Sequence, residues 1–173
     1  MTMGLLMRNN TPVTQNEYLL NEGSTLMSTT NTHSHITYAN SAFIDASGYK
    51  EESLLGEPHN LIRHPDMPAE AFGDMWFTLQ QGETWTGLVK NRRQNGDHYW
   101  VRANVTPVYQ NETLTGYISV RNIPSREEIA VSEKRYEKVR NNELKHHRFY
   151  KGLFVRHGLF SFTSLFKRLS TSK

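Results

Sequence analysis

Cysteine is absent from all 173 residues, which excludes disulfides, thiolate catalysis, Cys-ligated zinc and iron–sulfur clusters. The absence also fits a reducing compartment. No apolar run reaches the length of about 18 residues that a bilayer-spanning helix requires. The opening MTMGLLMRNN lacks the apolar core of a secretory signal. A cytoplasmic location is therefore expected. HExxH, Ser-His-Asp and paired-carboxylate arrangements are missing, as is a glycine-rich phosphate loop. Internal repeats and low-complexity tracts are lacking too. These absences point to a binding or sensing domain, not an enzyme. The chain has no recognised nucleic-acid motif either, so no nucleic-acid partner is expected.

Charge is unevenly spread. The net formal charge of +3 combines a body rich in acid with a basic end, since eleven Lys or Arg face only two acidic residues from Lys134 onward. Two parts of the chain with two roles follow.

One stretch concentrates polar chemistry. Asn60-Leu61-Ile62-Arg63-His64-Pro65-Asp66-Met67-Pro68 joins an amide, a guanidinium, an imidazole and a carboxylate to two prolines. Proline fixes φ and biases its predecessor toward extended backbone, so no helix runs through. The result is a stiff connection suited to a polar ligand, or equally to a surface turn before a helix.

Around this stretch the pattern predicts three regions. Residues 1–22 read as a flexible leader or cap. Residues 23–124 read as the domain. Residues 125–173 read as a helical, basic extension. Strands are expected at 25–30 and 35–39. Short helices follow at 42–46, opened by Asn40 and closed by Gly48, and near 50–55. The spacing of Ala71, Phe72, Met75, Trp76 and Leu79 predicts a helix over 69–81. Three strands then follow, over 85–93, 97–109 and 114–123, with Asn95-Gly96 as a type I′ hairpin signal. Tyr99, Val101, Ala103 and Val105 share one face. The fold class is α+β: a five-stranded antiparallel sheet with short helices gathered on one side and a cleft between them. Ser125 and Glu128 form a capping box that opens another helix, with Ile129, Val131, Tyr136 and Val139 on its apolar side.

These residues resemble a known family. Tyr38-Ala39-Asn40 with Phe43 and Ser47-Gly48-Tyr49 resembles the opening of a PAS domain, and Asn95-Gly96-Asp97 with Tyr99-Trp100-Val101 its closing hairpin. The stretch His59–Met67, the phrase Phe72-Gly73-Asp74-Met75-Trp76 and Val89-Lys90-Asn91-Arg92-Arg93 narrow the match. Together they are similar to the N-terminal, FAD-binding PAS sensing domain of bacterial aerotaxis receptors, closely over residues 20–125. A looser likeness continues into Lys151-Gly152-Leu153-Phe154-Val155-Arg156.

The resemblance implies a non-covalent FAD whose redox state reports on respiratory electron flow. It carries the family's flavin positions to Asn40, Arg63, His64, Asp66, Trp85 and Asn91. Chemistry supports part of that set. Asn40 and Asn91 offer donors and acceptors for a ring edge. Arg63 offers a planar fork for the pyrophosphate. Trp85 offers a broad aromatic face. Asp66 suits positioning Arg63 or His64 better than touching phosphate. The bland alternatives are a helix cap for Asn40, core packing for Trp85, solvent exposure for Asn91 and a loop histidine for His64.

Other readings are a haem-binding gas sensor with His59 or His64 as axial ligand, and a ligand-free interaction module. Blue-light chemistry through a cysteinyl–flavin adduct is excluded. Receptors of this family continue into a membrane anchor and signalling modules that this sequence does not contain, so a short or truncated receptor is expected. A second copy of the chain and a downstream signalling module are the expected protein partners. In the extension, Leu159, Phe162, Leu165, Phe166 and Leu169 fall at helical spacing beside Arg156, Lys167 and Arg168. Residues 152–173 are thus expected either to lie on an anionic membrane surface or to pack on protein.

Overall fold

The computed structural model describes residues 10–156. Five antiparallel strands form one sheet in the order β2-β1-β5-β4-β3. They are β1 (Leu26–Asn31), β2 (Ile36–Ala39), β3 (Trp85–Arg92), β4 (His98–Gln110) and β5 (Thr113–Asn122). Between β2 and β3 lie helices α1 (Ser41–Ser47), α2 (Glu51–Leu54) and α3 (Ala69–Gln80), with a 3₁₀ turn at His59–Ile62. The expected elements are all present, with bounds shifted by a residue or two.

Local chemistry explains the punctuation. The Asn40 side chain accepts from Phe43 N, and Gly48 closes α1 in the left-handed region. Pro68 precedes α3, where a missing N–H costs nothing. The Asn95-Gly96 hairpin departs from the expected type I′ form. Arg93 N donates to Asp97 O, and only Gly96 has positive φ, which describes a three-residue loop. The two-residue type I′ pattern of paired positive φ occurs instead at Asn111-Glu112 and Lys151-Gly152.

Alternation along β4 divides the sheet. Tyr99, Val101 and Ala103 are buried beneath α1 to α3, with Leu26, Phe43, Ile62 and Met67 in the same core. Trp100 points to the opposite, outer face. There α4 (Arg126–Arg140) covers it, with Tyr136 stacked on Trp100 at 6.1 Å between centroids. Helices therefore lie on both faces: the three intervening ones on the inner face as expected, α4 on the outer. Its capping box is present. Ile129 and Tyr136 are its buried positions, while Val131 is exposed.

Of the two readings of the leading residues, the described part, 10–22, takes the cap form and is strapped to the β3–β4 hairpin. Thr14 N donates to Gly96 O at 2.8 Å, Tyr18 N to His98 O at 2.7 Å, and His98 N to Asn16 O at 3.0 Å. The Asn10 amide, buried, donates to the carbonyls of Asn60 and Arg63. At the other end, the described part of the expected helical extension, 125–156, is helical only through α4. Beyond it, β6 (His147–Tyr150) and β7 (Leu153–Arg156) form a hairpin. The apolar series from Leu159 to Leu169 lies outside the described residues. Among the described residues no helix is long and apolar enough to cross a membrane.

Candidate functional site

Strand β3 is a sheet edge, and its free edge decides the site. Arg63 pairs with Asn91 in an isolated antiparallel bridge, and His64 N donates to Lys90 O. The proline-stiffened loop thus adds a short length of strand to β3. Neighbouring residues on a strand face opposite sides. Arg63 and Asn91 therefore share the inner face, while His64 joins Lys90 on the outer one. The rest of the edge is covered as well, since Leu88 O accepts from the Tyr136 hydroxyl at 2.6 Å.

The inner face carries a buried polar row. Arg63 is buried, and its guanidinium donates to Met67 O at 3.1 Å and lies 4.1 Å from the Phe72 ring centroid. Arg121 on β5 is buried too. It donates to the Ser28 hydroxyl at 3.1 Å and to His59 Nε2 at 2.8 Å, and sits over the Phe43 ring. Among the described residues, neither arginine has a carboxylate within ion-pair distance. Burial lowers the pKa of both, Arg121 to about 10, with Glu70 opposing the shift at Arg63 from a distance. Burial and the Arg121 charge push His59 down to about 3, so its imidazole is neutral and accepts from Arg121.

Two further groups on this face have no hydrogen-bond partner among the described residues. The Tyr99 hydroxyl, fully buried, lies beside the Asn91 amide without meeting hydrogen-bond geometry, and burial raises its pKa. The Ser119 hydroxyl is buried and unpaired as well. Buried polar groups are ordinarily satisfied. A ligand with acceptors along one edge and negative charge would satisfy Arg63, Arg121, Tyr99 and Ser119 together.

Trp85 stands at the other end of β3 from Asn91, with its indole against Gly87, where any side chain would collide. Its N–H is committed to Asp74 of α3 at 2.8 Å. The ring itself is buried in the core, so its aromatic face is the one part of the side chain not engaged in a hydrogen bond. Asn40 is engaged by the fold. Its oxygen accepts from Met27 N and Phe43 N, and its amide donates to Thr25 O.

His64 and Asp66 belong to a different cluster. His64 Nδ1 accepts from Asp66 N at 3.1 Å, and the Asp66 carboxylate takes Lys90 Nζ at 2.8 Å. Lys90 also reaches Glu133 of α4 at 3.3 Å and lies over Trp100. Burial, with Lys90 second, holds His64 down to about 4. Burial alone would raise Asp66, but the Lys90 hydrogen bond and charge outweigh it and keep the carboxyl below its ordinary range. The structure therefore brings Arg63, Asn91 and Trp85 to one face. His64 and Asp66 brace the loop against α4 from the other.

Residues 36–121 match a family model described as the PAS fold. The domain belongs to the PAS family. Over 146 residues the chain is 53% identical to the aerotaxis receptor of Escherichia coli (strain K12), covering 84% of this chain and 29% of that receptor. It is 30% identical over 125 residues to the nitrogen fixation regulatory protein of Klebsiella pneumoniae, covering 72% of this chain and 24% of the relative. The chain thus spans less than a third of these relatives. The PAS fold itself superposes on the dark structure of the blue-light photoreceptor Aureochrome1 LOV with a TM-score of 0.56 at 20% identity, covering 68% of this chain and 86% of that one. Another PAS domain, from Colwellia psychrerythraea, gives 0.54 at 20% identity, covering 59% of this chain and 87% of that one. These two likenesses show the fold alone.

Sequence reasoning missed Arg121, Tyr99, Ser28 and Ser119, and treated His59 only as a haem ligand. Strand alternation puts Tyr99 inward, but nothing in the sequence marks an arginine on an inner strand face as unpaired. In the sequence Asp74 stands out only as part of the phrase Phe72-Gly73-Asp74-Met75-Trp76.

Proposed function

We propose that the inner cleft binds FAD non-covalently and that the chain is the redox-sensing part of an aerotaxis signalling protein. Two buried guanidiniums with no carboxylate at ion-pair distance among the described residues, Arg63 and Arg121, carry this reading. An isolated buried charge is costly unless something neutralises it. A dinucleotide supplies a pyrophosphate and an electron-rich ring system. Arg63 offers its fork to the pyrophosphate, while Arg121, Tyr99 and Asn91 offer donors to the ring edge. Trp85 offers its face to the ring. Bound flavin supplies reversible electron uptake. The residues present hold and orient it, and the chain acts as a sensor, not a catalyst.

The relation to the Escherichia coli aerotaxis receptor supports aerotaxis as the output, received by a further module or a second copy of the chain. A cytoplasmic position against an anionic membrane, through residues 152–173, fits the basic end of the sequence. In the haem alternative His59 is the axial ligand on the inner face, which would require it to give up Arg121. No feature of the cleft favours that exchange.

An absorption spectrum of the purified protein tests the reading. Flavin bands, with FAD released on denaturation, are expected. A colourless protein that takes up no added FAD sinks it, and a Soret band replaces it with haem.

A further inference from the structure

One carboxylate ties three separate elements together. Asp74 Oδ2 accepts from the Trp85 indole N–H at 2.8 Å and from Gly152 N at 2.7 Å, while Oδ1 accepts from Lys151 N at 2.9 Å. Trp85 is in the sheet, Asp74 is on α3, and Lys151-Gly152 is the turn of the β6–β7 hairpin. A carboxylate has about four lone-pair sites, so these donors nearly fill it.

The turn is shaped for this place. Lys151 and Gly152 have φ of 50° and 81°. Gly152 lies so close to the free edge of β3 that a Cβ there would run into the Thr86 carbonyl oxygen. Its backbone also lies in the left-handed region, where a side chain is strained. Lys151 Nζ pairs with Glu83, just before β3. On its other side the hairpin is held to α4, with Phe149 against Tyr136 and Phe154 beneath the Arg135 guanidinium.

We propose that Asp74 is a positioning residue for Trp85 and that it couples the indole to docking of the β6–β7 hairpin. Because the donors share one acceptor group, displacing the hairpin frees Asp74 and alters the indole bond. Moving the indole weakens the hairpin in return, since coupling between two sites is reciprocal. A change at the inner cleft then reaches the segment that leaves the domain. The functional meaning rests on Trp85 lining the FAD site proposed above. The coupling itself does not require FAD.

The test uses the whole chain, with and without FAD, as wild type, Gly152→Ala, Asp74→Asn and Trp85→Phe. Two signals are read. One is the NMR resonance of the Trp85 indole N–H, identified by its loss in Trp85→Phe. The other is hydrogen exchange at the amides of Lys151 and Gly152. Gly152→Ala is expected to shift the Trp85 resonance, although it lies outside the sheet. Exchange at the turn is expected to quicken on the order of tenfold in Gly152→Ala, in Asp74→Asn and, from the opposite direction, in Trp85→Phe. If Gly152→Ala frees the turn but leaves the indole resonance in place, or Trp85→Phe leaves turn exchange unchanged, the coupling is overturned. Unchanged exchange in Gly152→Ala overturns the docking itself. If Asp74→Asn fails to fold, the other two variants still decide. Absence of FAD binding in the wild type sinks the flavin reading alone and leaves the coupling result standing.

Discussion

Arg63 and Asn91 face each other across the free edge of β3, and this single bridge sorts the polar loop into two sides. Arg63 turns to the inner face of the sheet, while His64 turns outward to Lys90 and α4. The split explains how one short motif serves both ligand contact and bracing. It also sets up opposite expectations for its members.

Removing Arg63 separates ligand binding from folding. In the flavin-free chain Arg63 is a buried charge with no carboxylate partner among the described residues, so Arg63→Met is expected to leave stability unchanged or raise it by up to about 1 kcal/mol. The same variant is expected to weaken FAD binding by roughly 10- to 100-fold, the equivalent of a lost charged hydrogen-bond set of about 1.5–3 kcal/mol. Urea denaturation and FAD titration together check this. A variant that unfolds would make Arg63 structural.

Asn91 sits beside the unpaired Tyr99 hydroxyl on the inner face. Asn91→Asp places a negative charge there. A reduced flavin gains electron density, so repulsion is expected to lower the reduction potential or weaken binding. Potentiometric titration of the bound flavin gives the sign. A potential and an affinity both equal to wild type remove Asn91 from the site.

Much of the architecture was legible from periodicity, because burial of one sheet face writes alternation into β4 and burial of one helix face writes its spacing into α3. What the sequence hid was pairing. The Arg63–Asn91 bridge and the ring contact between Trp100 and Tyr136 join residues far apart in the chain, and no local pattern records them. Arg121 looked like any strand arginine until its neighbours were placed. The hairpin at 147–156 is hidden because Lys-Gly is a weaker turn signal than Asn-Gly, and the basic run around it reads as part of a helical extension. Asn95-Gly96 misled in the opposite sense, since Gly96 alone takes the left-handed conformation.

Acid is expected to destabilise the domain before its carboxylates titrate. His64 is held near 4, facing Lys90, Asp66, His98 and Arg140, while in the unfolded chain it titrates near its ordinary 6.5. Between those values the unfolded state binds the extra proton, so stability falls as pH drops from about 6.5 toward 4 and His64 adds no further slope below that. His59 contributes in the same direction down to about 3. His64→Gln keeps an acceptor for Asp66 N and loses the titration. Its stability is expected to fall less steeply, by up to about 1 kcal/mol per pH unit. Urea midpoints measured from pH 7 to 4.5 in both proteins show the difference. Parallel curves would mean that His64 is not held neutral.

The ion-pair cluster beside His64 is expected to respond asymmetrically to loss of its two signs. Lys90 is buried, whereas Asp66 and Glu133 are about half exposed. Lys90→Met removes the charge that is costly to bury and leaves two carboxylates with access to water. It also keeps an unbranched chain over Trp100. The change is therefore expected within about 1 kcal/mol of wild type. Asp66→Ala instead leaves the buried ammonium with Glu133 alone, at the longer distance of 3.3 Å. A loss of roughly 1–3 kcal/mol is expected, the cost of an under-satisfied buried donor. The double variant should recover most of that loss, because no buried charge is left unpaired. Urea denaturation at neutral pH across the four proteins completes the cycle. If Lys90→Met is the more damaging single change, Lys90 acts through its packing on Trp100 and the ion pairs are incidental to holding the loop.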